Sequence, residues 1–96
     1  MKYPKEYLDE IKTRLKVSTV VSKSVNLKKR GKEYVGISPF KNEKTPSFTV
    51  NDEKGFYHCF STSEHGNIFD FIMKTQNLKF GEAVKTLANF AGMQPY

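Results

Sequence analysis

The sequence predicts an α+β fold in which one antiparallel β-sheet is flanked by helices at both ends of the chain. Apolar residues recur at helical spacing near each end, whereas the middle consists of short runs rich in β-branched and aromatic residues. Glycines and polar turn residues separate these runs. A chain of 96 residues is long enough for one domain with a modest core, so we expect a single domain over residues 1–96.

The first predicted element is a helix that begins at Pro4, because proline suits the first turn of a helix. Tyr7, Ile11 and Leu15 recur every four residues and would therefore lie on one face. This helix is expected to end near Arg14, with its apolar face turned to the core.

The central part of the chain is predicted to form strands. Residues 17–25 combine valines at helical spacing with serine and threonine, which favours a short helix that leads into the first strand. The four predicted strands run from Val25 to Arg30, Tyr34 to Ile37, Ser47 to Asn51 and Phe56 to Phe60. Turns at Gly31 and at residues 51–55 would join neighbouring strands as antiparallel hairpins.

Two helices are predicted after the sheet. Asn67 is a suitable N-cap for the first of them, and Asp70 is favourably placed in its first turn. The second carries an apolar stripe over residues 80–91 and is followed by Gly92, a typical residue just beyond a helix end. Together these helices would cover one face of the sheet.

The net charge of +6 is concentrated in one stretch of the chain. Lys23 to Lys44 contains seven basic residues against two acidic ones, whereas the part from Thr45 onward is slightly acidic. Such a stretch suggests a polyanionic partner, although a solvated basic face without a partner has the same pattern. No apolar run approaches the roughly 20 residues that cross a bilayer, and the N-terminus lacks a signal peptide's apolar stretch, which predicts a cytoplasmic protein without a membrane partner.

Catalytic motifs are lacking in this sequence. Cys59 is the only cysteine, which excludes an internal disulfide and a four-thiolate metal site. There is no glycine-rich phosphate loop, no ordered Ser/His/Asp set and no carboxylate cluster of the kind that holds catalytic magnesium. We therefore predict no catalytic residues, and a stand-alone enzyme is disfavoured.

Six stretches of the chain carry a resemblance to a known family. They run from Leu27 to Gly36, Pro39 to Phe40, Glu43 to Val50, Phe56 to Phe60, Gly66 to Phe71 and Phe80 to Ala88. In this order they resemble the N-terminal zinc-binding domain of bacterial DNA primases, a CHC2-type zinc ribbon. The resemblance covers nearly the whole chain and implies a zinc-ribbon-like sheet at the start of a longer primase.

The zinc ligands of that family are mostly replaced in this chain. The family holds zinc with a Cys-Pro-Phe-His stretch and a Cys-Phe-Gly-Cys stretch, and the matching ligand positions here are Ser38, Lys41, Cys59 and Thr62. Only Cys59 still carries a zinc-binding side chain, and the cationic Lys41 would repel the metal. We therefore expect no bound zinc and no other cofactor. The four side chains are nevertheless expected to stay close together, with hydroxyls that satisfy backbone groups.

Two further points about this site are open from sequence alone. A rescued zinc site that uses His58, Cys59 and His65 is disfavoured, because adjacent residues of a strand point to opposite faces. Lys41 either pairs with Glu43 or Glu64 or reaches solvent.

Apolar packing is expected to replace the stability that zinc supplies. A structural zinc contributes on the order of 10 kcal/mol in small zinc-dependent modules. Each phenylalanine contributes roughly 1.5–3 kcal/mol on full burial, if its ring is turned inward. The phenylalanines are Phe40, Phe48, Phe56, Phe60, Phe69, Phe71, Phe80 and Phe90.

The resemblance implies a role in primer synthesis. Domains of this family contact the single-stranded DNA template, help to select the start site and act with a separate polymerase domain, in cis or in trans. That polymerase domain would hold magnesium and perform the nucleotidyl transfer, so the full-length primase is expected to be an enzyme and this domain alone is not. A replicative helicase would be contacted through other domains.

Basic and aromatic residues of the sheet are the candidates for DNA binding, because they can contact phosphates and stack on bases. They are Arg30, Lys32, Tyr34, Lys44, Lys54, Phe56 and Tyr57. Alternation along the last predicted strand would place Phe56, His58 and Phe60 on one face. Tyr57 and Cys59 would lie on the other face, so some of these rings belong to the core.

An alternative function is a metal-free docking module for the polymerase domain that no longer reads DNA. The retained basic stretch favours template binding over this alternative on electrostatic grounds. Charge reversal at Arg30 and Lys32 distinguishes the two functions, because it weakens DNA binding only if the domain binds DNA.

Overall fold

The computed structural model describes residues 3–40, 44 and 46–96. In this part of the chain two helices precede a five-stranded sheet and two helices follow it. The helices are α1 (Lys5–Arg14), α2 (Val17–Val21), α3 (Ile68–Gln76) and α4 (Phe80–Phe90), and the strands are β1 (Lys28–Arg30), β2 (Glu33–Gly36), β3 (Phe48–Asn51), β4 (Phe56–Cys59) and β5 (His65–Gly66). The predicted α+β class is confirmed.

The sheet is an antiparallel meander with the strand order β1-β2-β3-β4-β5. The turns after β1 and β3 contain Gly31 at φ +64° and Gly55 at φ +77°, a left-handed conformation that glycine adopts without strain. The sequence predicts four of the five strands. It does not predict β5, because two residues are too few to show alternation. The first strand is shorter than predicted, because Val25 packs into the core before the strand begins.

The two N-terminal helices confirm the predicted pattern. The first follows Pro4, whose carbonyl oxygen accepts hydrogen bonds from the N–H groups of Tyr7 and Leu8 at 3.1 and 3.3 Å. Ile11 on its apolar face is fully buried. The short helix α2 is also present, but the chain turns after it instead of passing directly into a strand.

The predicted cap of α3 is confirmed by its hydrogen bonds. The side-chain oxygen of Asn67 accepts from the N–H groups of Phe69 and Asp70 at 2.9 and 3.1 Å, and the Asp70 carboxylate accepts from the Asn67 N–H at 2.9 Å. Gly92 at φ +70° follows α4, as predicted. None of the helices in the described ranges is both long and apolar enough to cross a membrane.

The helices cover one face of the sheet, which we call the inner face. Its side chains include Phe48, Val50, Tyr57 and Cys59, all fully buried. The rings of Phe48 and Tyr57 stack with centroids 5.3 Å apart, and Phe71 of α3 packs edge-on against Tyr57 at 5.6 Å. The predicted alternation along β4 is thereby confirmed.

Inward packing, which the sequence leaves open for each phenylalanine, is found for half of the eight rings. Phe48, Phe69 and Phe71 are buried, and Phe40 packs against them from a partly buried position. The other four rings each expose 40% or more of their surface, and these are Phe56, Phe60, Phe80 and Phe90. Valines and alanines of α2 and α4 fill much of the core instead.

Candidate nucleic-acid interface

The second face of the sheet points away from the helices, and we call it the outer face. It is formed by the residues that alternate with the inner-face residues, namely Lys28, Arg30, Glu33, Val35, Thr49, Asn51, Phe56, His58 and His65, together with Phe60 just after β4. The N–H group of Phe60 donates to the carbonyl oxygen of Ser47 at 2.9 Å, which extends the ladder past the end of the strand.

Across the outer face, from β1 to β5, the side chains change from basic to aromatic. One row of cross-strand neighbours contains Lys28, Val35, Thr49, His58 and His65 and so passes through all five strands. At a spacing of about 4.8 Å between strands, this row is about 19 Å long. The β1 end of the face carries Lys28 and Arg30, whereas the β4–β5 end carries the rings.

The aromatic end of the outer face is exposed. Phe60 exposes 66% of its surface and Phe56 exposes 41%. The ring of His58 lies edge-on to Phe60 at 4.4 Å between centroids and is 6.2 Å from the ring of His65. Adjoining exposed rings on a polar sheet are typical of a surface that binds a planar or apolar partner.

The basic end of the outer face carries more basic than acidic side chains, with Glu33 opposite Arg30 as the acidic residue. Lys28, Arg30 and Lys32 are exposed. The ion pairs in the described part of the chain involve other lysines and arginines. Lys32 lies in the turn between β1 and β2, next to Arg30. The positive charge is therefore available to phosphate groups.

The structure places the predicted DNA-binding residues in different environments. Arg30 and Phe56 lie on the outer face, and Lys32 and Lys54 lie in turns at its border. Lys44 is exposed in the connection between β2 and β3. Of the seven candidates, five are thus accessible to a nucleic acid.

Two aromatic candidates point inward. Tyr57 is fully buried among Phe48, Phe71 and their neighbours, so the prediction that it stacks on a base is wrong. Tyr34 is half-buried and packs against the core. Burial raises the pKa of the Tyr57 hydroxyl above its ordinary value, although nearby Lys74 acts in the opposite direction.

The candidate set omitted three accessible rings and one cation. They are Phe60, His58, His65 and Lys28. Strand alternation already placed Phe60 and His58 beside Phe56, so this signal was available in the sequence. His65 had no such signal, because it belongs to the two-residue strand β5.

Three of the four former zinc-ligand positions come together in the structure, as predicted. The Cys59 sulfur lies 3.1 Å from the Ser38 hydroxyl oxygen and 3.3 Å from that of Ser61, and Thr62 also hydrogen-bonds to it. The Ser38 oxygen accepts from the N–H of Phe40 at 3.1 Å. The fourth position, Lys41, lies outside the described residues, as does Glu43.

Hydroxyls therefore satisfy backbone groups at this end of the sheet. Besides the Ser38 contact, the Thr62 hydroxyl oxygen accepts from the N–H of Glu64 at 3.3 Å. Glu64 itself forms an ion pair with Lys74 at 3.0 Å, which raises the pKa of Lys74. Glu64 thus has a cationic partner other than the one considered from sequence.

The residues present do not fit a zinc ion. Burial tends to raise the pKa of the Cys59 thiol, but hydrogen bonds from Ser38, Ser61 and Thr62 outweigh it and lower this pKa to about 6. A thiolate is a zinc ligand, yet hydroxyls are poor ones, and the described residues contain no group of three His, Cys, Asp or Glu side chains that could hold a metal. His58 points to the opposite face of the strand from Cys59, which also excludes the rescued site.

Comparisons with known proteins agree with the observed fold. The CHC2 zinc finger family matches residues 3–95. The DNA primase of Haemophilus influenzae is 44% identical over 94 residues, which are 97% of this chain and 16% of that protein. The DNA primase of Pseudomonas putida is 47% identical over 91 residues, 95% of this chain and 14% of that protein.

A solved structure shows the same fold. The crystal structure of the zinc binding and RNA polymerase domains of Aquifex aeolicus primase superposes with a TM-score of 0.86 at 29% identity. The match covers 94% of this chain and 22% of that one. The chain spans 14–16% of the length of the primases it matches.

The meander and its flanking helices define a zinc-ribbon domain of the primase type. This chain belongs to the CHC2 zinc finger family, although three of the four ligand positions that name the family carry other residues. The resemblance inferred from sequence is thereby confirmed.

Proposed function

We propose that this domain binds the single-stranded DNA template through the outer face of its sheet. The observation that carries the proposal is the row of side chains through all five strands, with cations on β1 and exposed rings on β4 and β5. Lysine and arginine contact phosphates, and exposed rings stack on unpaired bases without strong sequence preference. A single strand with its bases splayed out fits such a surface better than a duplex.

Within a primase, this binding would help to select the start site of the RNA primer. The nucleotidyl transfer and its magnesium would belong to the polymerase domain, which acts with this domain in cis or in trans. That this domain alone performs no catalysis stays a prediction. Contact with the replicative helicase through other domains stays a prediction.

The test is a titration of fluorescently labelled single-stranded DNA at low and moderate salt with chelator present. Arg30→Glu with Lys32→Glu should weaken binding and flatten its salt dependence, because both cations face the strand. The matched control is Lys5→Glu with Lys85→Glu, which makes the same charge change on α1 and α4. Unchanged binding by the Arg30/Lys32 variant would contradict the proposal.

Docking to the polymerase domain is the second candidate function. A groove of about 480 Å³ between α1 and the C-terminal segment supports it, because Tyr3, Tyr7 and Tyr96 line the groove with their rings in mutual contact. If the folded domain shows no DNA binding even at low salt, docking becomes the better account.

We also propose that the domain folds and functions without zinc. The hydrogen-bonded cluster of Ser38, Cys59, Ser61 and Thr62 supports this proposal, because it satisfies backbone groups that the metal site would otherwise organise. Thermal unfolding with and without a strong chelator should give the same midpoint. Zinc bound in stoichiometric amount by elemental analysis, together with a chelator-induced loss of stability, would overturn it.

A further inference from the structure

A cleft of about 680 Å³ lies beyond one border of the outer face. It is bounded by the end of α1, the start of α2, the turn between β3 and β4, and the junction of β5 with α3. Phe56 and His65 belong both to its lining and to the outer face. The cleft is therefore continuous with the surface proposed to bind DNA.

Three lysines from separate parts of the chain converge on this cleft. Lys12, Lys16 and Lys54 are exposed along its walls, and none of them forms an ion pair with a residue that the structure describes. The phenyl ring of Phe56 lies beside them. Flexible ammonium groups next to an exposed ring are the side chains that bind a nucleotide's phosphate and base.

The two carboxylates in the cleft are engaged by the protein itself. Asp52 accepts from the N–H and the hydroxyl of Ser18 at 2.8 and 2.5 Å. Asp70 accepts from the N–H of Asn67 at 2.9 Å as part of the α3 cap. These bonds orient both carboxylates, whereas the three lysine ammonium groups form no ion pair in the described part of the chain.

The same contacts keep the cleft open. The Asp52–Ser18 bonds tie the β3–β4 turn to α2, so two walls of the cleft are fixed to each other. Gly66 leaves the third wall without a side chain, at φ +159°. A Cβ atom at this position would lie 2.5 Å from the Asp70 carboxylate, so only glycine fits.

We propose that this cleft binds a nucleotide phosphate, with Lys12, Lys16 and Lys54 as its ligands and Phe56 as the plane beside the base. The proposal rests on the proposed function where the strand bound to the outer face supplies that phosphate. A free nucleoside triphosphate would supply the same chemistry. The site extends the interface from the sheet to the N-terminal helices, which contain none of the predicted DNA-binding residues.

Salt-dependent binding of single-stranded DNA to the 96-residue chain tests the strand as the source. Lys12→Gln with Lys16→Gln should lower the affinity roughly tenfold at moderate salt and flatten the salt dependence by about 0.7 for each lost phosphate contact. The matched control, Lys5→Gln with Lys85→Gln, removes the same charge from α1 and α4 outside the cleft and should change little. Equal affinities and salt slopes for the two variants would overturn the strand as the source.

Amide chemical shifts distinguish the two sources and separate this proposal from the previous one. DNA that enters the cleft should shift Lys16, Gly55 and Gly66, whereas DNA on the outer face should shift Thr49 and His58. Shifts of the cleft amides by ATP alone would support the site with a free nucleotide as its source. If the outer face responds to DNA and the cleft responds to neither ligand, the cleft proposal fails and template binding stands. If the cleft responds and the outer face does not, template binding on the sheet fails instead.

Discussion

The two faces of β4 differ in what they contribute. Cys59 points inward into a hydrogen-bonded cluster of hydroxyls, whereas its neighbours His58, half-buried, and Phe60, exposed, point outward. Residues adjacent in sequence therefore belong to two surfaces that share only the backbone. The comparison teaches that one strand can carry two different chemistries, because alternate side chains meet different surroundings.

The largest effect should come from removing an inner-face ring. Phe48→Ala deletes a fully buried ring that contacts Tyr57 and Phe71, and it should lower the free energy of unfolding by about 3–5 kcal/mol. Chemical denaturation followed by circular dichroism measures this change. Phe48→Leu, which keeps most of the side-chain volume, should lower the free energy of unfolding much less. Similar small losses for both variants would contradict the inner-face assignment.

A smaller effect, on binding alone, is expected from the outer face. Phe60→Ala should reduce affinity for single-stranded DNA by about 1–3 kcal/mol, because one stacking plane is lost. Its stability should change by no more than about 0.5 kcal/mol, since the ring is largely exposed. Phe90→Ala, an exposed ring on α4, provides the control for binding. A loss of stability without a loss of affinity would break the proposed division between the faces.

In the cluster of Ser38, Cys59, Ser61 and Thr62, a substitution should lower stability and leave DNA binding unchanged. Cys59→Ala removes the group that joins Ser38 to Ser61 and should destabilise the fold by about 1 kcal/mol. DNA affinity of the folded variant should stay as in the parent, because the side chain faces inward. Cys59→Ser keeps a hydrogen-bonding group and should lose less stability than Cys59→Ala. A Cys59→Ala variant that folds normally but no longer binds DNA would show that the two faces are coupled.

A pH dependence of stability should also follow from the same cluster. The pKa of Cys59 falls to about 6 in the fold from its ordinary value near 9, because the folded state stabilises the thiolate. This contribution is fully present above the ordinary pKa and is lost as pH falls through about 6, so the free energy of unfolding should rise between these values. Denaturant titrations at several pH values measure it, with Cys59→Ser as the control. The same slope in both proteins would assign the dependence to other groups.

The sequence predicts the regular elements well because their signals are local. The α3 cap needs only Asn67 and Asp70 at the right spacing, and the β4 alternation needs only consecutive residues. Burial is less predictable: periodicity does not say that Phe80 and Phe90 stay at the surface while alanines of α4 fill the core.

The candidate site is predictable in part for a similar reason. The basic stretch and Phe56 are visible in sequence, but the burial of Tyr57 follows from how α3 packs on the sheet. The cleft has no sequence signal, because it unites residues near positions 12, 54 and 66 that only the tertiary fold brings together.

The strand order also has a kinetic consequence. Each strand of the meander pairs with the one just before or just after it in the chain, so the sheet can grow one hairpin at a time. The loops closed at each step contain two to eleven residues, and the entropic cost of closing a loop grows only slowly with its length. Folding of this sheet can therefore start from a single hairpin, without first bringing distant parts of the chain together.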